Sequence, residues 1–205
     1  MKSLAMVTTT LALATQLCVA DNAAHPKAKV SYEDFKGLVA EVEAHRAERL
    51  VDLDTFLRMS KEPDVIILDT RSTFRYERIH LKGARHLSFT DFTQDNLRRV
   101  IPSPETKVLI YCNNNFEGNP VDFASKIAMP AARPLATATN PSSLRNTFAL
   151  SRQFANQSKP LMMALNVPTY INLYGYGYHQ VYELDELVDV NDPRIEFEGS
   201  LIARP

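Results

Sequence analysis

The sequence predicts an α/β domain with a mainly parallel central sheet flanked by helices on both faces. Three observations carry this expectation. VIILD, residues 65–69, and KVLIYC, residues 107–112, are continuous apolar runs without polar alternation, the pattern of strands buried on both faces of a parallel sheet. Segments with helical spacing of apolar residues lie between and before them. TYINLY, residues 169–174, alternates β-branched and aromatic residues and reads as a further strand.

The elements follow in order. MKSLAMVTTTLALATQLCVA, residues 1–20, places one lysine ahead of an uncharged stretch and ends in small residues, the pattern of a secretory signal peptide cleaved after Ala20. Residues 21–30 read as an irregular start to the mature chain. Ser31 can then cap a helix through SYEDFKGLVAEVEAHRAER, in which Phe35, Leu38, Val39 and Val42 fall at helical spacing. Asp52 caps a second helix, TFLRMSK, which Pro63 and Asp64 end before the first apolar run. ARHLSF, residues 84–89, reads as a short strand, and TDFTQDNLRRVI as a helix starting near Thr90 or Asp91. After the second apolar run, Gly118 turns the chain, Asn119 is a good N-cap and Pro120 suits a first helical position, which predicts a helix into VDFASKIA. Residues 129–160, rich in Pro, Ala, Thr, Ser and Asn, read as an insertion with one helix at 144–154.

Composition narrows the function classes. Apolar residues make up 45% of the chain and charged residues 23%, as in an ordinary globular protein. A net charge of -1 argues against nucleic acid or an anionic membrane as the main partner. Histidines at 25, 45, 80, 86 and 179 show no metal-ligand spacing, so no metal is expected. Cys18 leaves with the signal peptide, and Cys112 remains as the mature chain's one cysteine. In an oxidising compartment an unpaired cysteine is either a small buried hydrophobe or a reactive thiol.

Cys112 ends the second apolar run and opens YCNNNFEG, residues 111–118. Ligands of parallel sheets bind beyond the carboxyl ends of the strands, which is where this loop falls. Its Asn113, Asn114 and Asn115 tolerate the left-handed conformations of a curled loop. With Phe116, Glu117 and Gly118 they complete a candidate site whose inward N–H groups, together with a following helix N-terminus, would lower the thiol pKa.

VIILDTRSTFRYERIHLKGARHLSF, with Asp69, Thr70 and Arg71 at a strand end and His80, Leu81, Lys82, Gly83 and Ala84 about ten residues later, resembles the first half of a rhodanese-like domain. VLIYC matches the strand that ends in that family's cysteine, and INLYGYGYHQVYEL falls where the family has a strand and a glycine-containing turn. The resemblance covers residues 50–190, which with the signal peptide at 1–20 gives this organisation: an N-terminal helical extension at 21–49, a rhodanese-like domain at 50–190 with its insertion at 129–160, and a C-terminal tail at 191–205. It also implies a sulfurtransferase without metal or organic cofactor, in which Cys112 takes sulfane sulfur from a thiosulfate- or persulfide-type donor and passes it to a thiol or cyanide; the signal peptide places it in the periplasm or outside the cell.

Asp69, Arg71 and His80 are supporting residues, and a structural role is the simplest account of each. The tyrosines 174, 176, 178 and 182, with Gly175 and Gly177, either wall the pocket or pack a turn. The chain departs from the family where active members carry an arginine after the cysteine: here stands Asn113, with Glu117 further on to oppose a thiolate. Arg133, Arg145 or Arg152 of the insertion would restore positive charge if they fold over the loop. A non-catalytic rhodanese-like binding module is the alternative reading. A phosphatase on the same fold is a weaker one, because Gly118 stands six residues after Cys112 where an arginine would be needed.

Overall fold

The computed structural model describes residues 26–128 and 161–202. The expected signal peptide, the expected insertion helix and Arg133, Arg145 and Arg152 therefore lie outside the described residues. The chain divides into two compact units, residues 1–32 and 33–205, and of the first the described residues 26–31 are exposed and form neither helix nor strand.

The helix α1 (Tyr32–Ala47) carries Glu33 and Asp34 in its first turn and His45 and Arg46 in its last, which complements the helix dipole at both ends. After β1 (Leu50–Val51), α2 (Leu53–Met59) starts at Asp52, whose carboxylate accepts the Thr55 N–H at 2.8 Å. Then come β2 (Ile66–Asp69), α3 (Thr73–Arg78), β3 (His80–Leu81) and β4 (Arg85–His86). A 3-10 turn at Phe89–Asp91 precedes α4 (Gln94–Val100), which is capped by the Thr93 hydroxyl. The central strand β5 (Val108–Tyr111) leads into a 3-10 turn, Asn113–Asn115, and β6 (Phe116–Glu117). β7 (Ile127–Ala128) pairs antiparallel with β8 (Leu161–Met162), so the chain leaves and re-enters the described fold at one place on either side of residues 129–160. The remainder is α5 (Asn166–Gly175), β9 (Val181–Leu184), β10 (Val188–Asp189) and β11 (Phe197–Glu198).

β1, β9, β5, β2 and β4 form, in that order, a five-stranded sheet in which every pairing is parallel. Because side chains alternate along a strand, Val108 and Ile110 of β5 join Ile66, Leu68 and Val181 on one face, under Val42 of α1, Leu97 of α4 and Leu173 of α5. Leu109 and Tyr111 face the opposite way, onto Phe56 of α2, Leu81, Phe116 and Phe123. Burial on both faces is why the two apolar runs carry no polar alternation. Each such side chain contributes roughly 1.5–3 kcal/mol on leaving water. The one charged inward residue of β9, Glu183, receives both Nε and Nη2 of Arg46 at 2.6 Å, which ties α1 to the sheet.

The structure corrects several sequence expectations. TYINLY is not a strand but most of α5. Its β propensity yields to packing, since Thr169, Tyr170 and Leu173 recur at helical spacing on the buried side. Pro168 sits in the first turn, where its missing N–H costs nothing. At the other end the Tyr178 N–H reaches the Leu173 carbonyl and the Gly177 N–H the Tyr174 carbonyl, both at 2.9 Å, with Gly177 at φ 93°. This is a Schellman stop, for which glycine is the natural residue. The last strand of the central sheet is β9, which begins at Val181, beyond the end of TYINLY. ARHLSF pairs only at Arg85 and His86 before turning, and α4 starts at Thr93 rather than at Thr90 or Asp91. Residues 191–202, read as part of a tail, supply β11, which pairs antiparallel with β3, and Phe197 packs against Phe116 and Phe123.

No helix starts at Asn119. Its side chain accepts the Asp122 N–H at 3.1 Å and its carbonyl the Phe123 N–H at 2.9 Å, which closes a single turn. Phe123 is then drawn into the core, and the chain forms no helix before β7.

Candidate functional site

β2 and β5 lie side by side with Asp69 opposite Tyr111, so the residues that follow them, Thr70 and Arg71 on one strand and Cys112 and Asn113 on the other, meet at the carboxyl edge of the sheet. Asp69 accepts there from Arg71 through the backbone N–H at 2.9 Å, Nε at 3.0 Å and Nη2 at 2.7 Å. The Tyr111 hydroxyl donates to the same carboxylate at 2.5 Å and accepts the Leu81 N–H at 3.1 Å. Arg71 Nη2 also donates to the Ile79 carbonyl at 2.5 Å, and Nη1 lies 3.5 Å from Asn113 Oδ1. Arg71 is 2% exposed, with its guanidinium 4.7 Å from the centre of the Phe123 ring. Burial works against its charge, but the bonded Asp69 carboxylate outweighs burial and holds the guanidinium protonated. Burial, reinforced by Asp69, drives the Tyr111 hydroxyl well above its ordinary value.

Cys112 is a free thiol, 1% exposed. Its backbone N–H donates to Asn115 Oδ1 at 2.8 Å, and Asn115 Nδ2 donates to the Leu184 carbonyl at 2.7 Å, so the 3-10 turn is pinned to the end of β9. Asn114 clamps the chain beyond the loop by accepting the Lys126 N–H at 2.6 Å. Burial pushes the Cys112 thiol up; hydrogen bonds from the backbone N–H groups of Leu165, Asn113 and Asn114 pull it down; the Asp69 carboxylate pushes it up again. The balance lies above the ordinary thiol range, contrary to the lowered pKa expected of the loop.

Two further expectations change. The carboxylate that opposes a Cys112 thiolate is Asp69, because Glu117 is exposed in β6, opposite Asp189. The helix that begins at the sulfur is α5, whose N-cap residue Leu165 supplies one of the three donors. That helix was hidden by its own strand-like composition, although Pro168 near its start and Gly177 beyond its end were legible helix boundaries. Sequence reasoning also missed Tyr111, Asn166 and the buried hydroxyl pair Thr70–Thr169, at 2.9 Å, which joins the end of β2 to α5.

The remaining candidates sit apart from the sulfur. His80 bonds through Nδ1 to the Tyr76 carbonyl at 2.7 Å, where it can only donate, and stacks on the Tyr76 ring at 3.8 Å. Tyr174 and Tyr176 lie at the far end of α5, about 15 Å along its axis from Leu165, and donate to Glu41 and to the Phe92 carbonyl. Tyr178 is core and Tyr182 belongs to β9, so this stretch packs a helix end and does not wall the cysteine. Among the described residues, Arg71 is a cation whose charge reaches Cys112, and it comes from the strand neighbouring the loop. Among the described residues, no group of three or more His, Cys, Asp or Glu is placed to hold a metal ion, and no helix is long and apolar enough to cross a membrane.

The site is thus a parallel α/β sheet whose central strand ends in a cysteine, beside an Asp-x-Arg strand end. Residues 52–132 match the family model described as the rhodanese-like domain. The chain is similar to the crystal structure of the BH2092 protein from Bacillus halodurans, with 15% identity and a TM-score of 0.35 over 82% of this chain and 86% of that one. No curated protein matches the chain.

Proposed function

We propose that this protein is a sulfurtransferase that carries sulfane sulfur as a persulfide on Cys112. The observation that supports this reading best is the convergence of three backbone N–H groups, from the loop and from the start of α5, on the Cys112 sulfur. Donors fixed in this way favour negative charge on a bound sulfur without reorganising when it develops. In the first step the Cys112 thiolate attacks the outer sulfur of a donor; the donor's sulfur–sulfur bond breaks, and its electron pair leaves with the departing sulfite or thiolate. In the second, a thiol or cyanide attacks the outer sulfur of the persulfide and Cys112 is released as thiolate. Both displacements balance without an external oxidant.

One observation favours a second reading. A thiol held neutral by burial suits a binding module that has no use for nucleophilic sulfur. A phosphatase finds no support in the loop, since Gly118 offers no side chain to a phosphoryl group. Incubation of the full chain with thiosulfate or glutathione persulfide, followed by peptide mass mapping, separates the two readings. The expected result is one added sulfur on Cys112, removable by cyanide and absent from Cys112→Ser. Failure to load a thiol that still reacts with an alkylating agent would sink the enzyme and leave the module.

A further inference from the structure

The bonds around Cys112 fix the orientation of a neighbouring amide. A backbone N–H only donates, so the atom 2.8 Å from Cys112 N is Asn115 Oδ1, and the Leu184 carbonyl, which only accepts, requires Asn115 Nδ2 on the other side. Asn166 approaches that same Oδ1 at 2.9 Å and must therefore present its Nδ2. Its own Oδ1 is left without a hydrogen-bond partner, in a residue 7% exposed. A buried amide oxygen in that state calls for a donor. Asn166 follows Leu165, which donates to the Cys112 sulfur, and it holds the amide that holds the Cys112 N–H. The Arg71 guanidinium, which an oxyanion would seek, is already bonded to Asp69 through Nε and Nη2.

Resting on the persulfide-transfer reading above, we propose that Asn166 Oδ1 sets donor specificity by accepting a hydrogen bond from an N–H of the sulfur donor. It selects a cysteinyl persulfide, in which amide or ammonium N–H groups lie beside the sulfur pair, over an all-acceptor donor such as thiosulfate. In this exchange Cys112 forms a bond to the outer sulfur of R–S–SH, the donor's sulfur–sulfur bond breaks, and the departing R–S⁻ takes up the proton that Cys112 gives away. A neutral thiol and a hydropersulfide become a hydropersulfide and a neutral thiol. No net charge enters a site where burial and Asp69 both resist it.

The test compares kcat/KM for three donors, glutathione persulfide, thioglycolate persulfide and thiosulfate, with the wild-type chain and Asn166→Ala. Thioglycolate persulfide keeps the sulfur pair but has no N–H. The wild type is expected to prefer glutathione persulfide over each of the others by about tenfold, the value of one good hydrogen bond. In Asn166→Ala that preference should collapse, while the hydrogen-bond loss at Asn115 slows all donors alike. A uniform loss in Asn166→Ala with the preference retained overturns the proposal, because the residue is then only structural. If the variant does not fold, the wild-type ranking decides, and equal rates from the two persulfides overturn the proposal while persulfide transfer itself stands. If none of the three loads Cys112, the underlying reading falls with it.

Discussion

At the scale of single residues, the site is a contest between desolvation and hydrogen bonding at one sulfur. Because burial and Asp69 outweigh three backbone donors, the folded thiol holds its proton to higher pH than a free cysteine. Alkylation of Cys112 should therefore follow a titration with its midpoint above about 8.5, the ordinary thiol value. The linked stability has a definite sign. A folded-state pKa above the unfolded one means that the native state binds more protons between the two values, so stability is fully present below the unfolded pKa and is lost as pH rises through the folded pKa. Cys112→Ser should flatten that alkaline decline in denaturant titrations across pH. Asp69 has a larger structural role: Asp69→Ala leaves the Arg71 guanidinium buried and unpaired, and should cost about 3–5 kcal/mol of unfolding free energy, read as a lower urea midpoint. The Asp69–Arg71 pair was legible because two residues apart at a strand end is a short reach. Tyr111, which completes the pair's bonding from the next strand, was not, since register decides which strand-end residues become neighbours.

At the scale of elements, propensity lost to packing once, and at a place that matters. TYINLY has the composition of a strand, yet it buries Thr169, Tyr170 and Leu173 only as a helix, and the N–H of that helix's N-cap residue, Leu165, reaches Cys112. Its stop depends on Gly177, whose φ of 93° lies in the region an L side chain resists. Gly177→Ala should destabilise the protein by roughly 1 kcal/mol or more, measurable as a shift in thermal midpoint. Asp52 shows the opposite case. Its cap on α2 was readable because a carboxylate three residues ahead of Thr55 needs only local geometry to find its N–H. Asn119 offered the same local signal and made the same local bonds, but one turn was all that Phe123 allowed before the core claimed it.

At the scale of the whole molecule, the order of strands sets what can meet. Placing β5 between β9 and β2 gathers the Asp-x-Arg segment, the cysteine loop and the carbonyls after β9 at one edge. The antiparallel pair β7–β8 brings the chain on either side of residues 129–160 back to one place. From its carboxyl end the chain also supports the site, since β11 pairs with β3 and Phe197 packs on Phe116 beside the loop.

By itself the sequence determined the α/β class, the two central strands and the strand-end position of Cys112. These follow from short-range physics: continuous apolar runs bury on both faces, and a cysteine that ends such a run lies at the sheet's edge. Only the tertiary structure decided what surrounds the sulfur. Which helix begins there, which carboxylate opposes its ionisation, which cation reaches it and which amide is left unpaired depend on segments distant in the chain, Leu165, Asp69, Arg71 and Asn166. Hydrogen bonds and desolvation act over a few ångströms of space, and the folded chain alone establishes those distances.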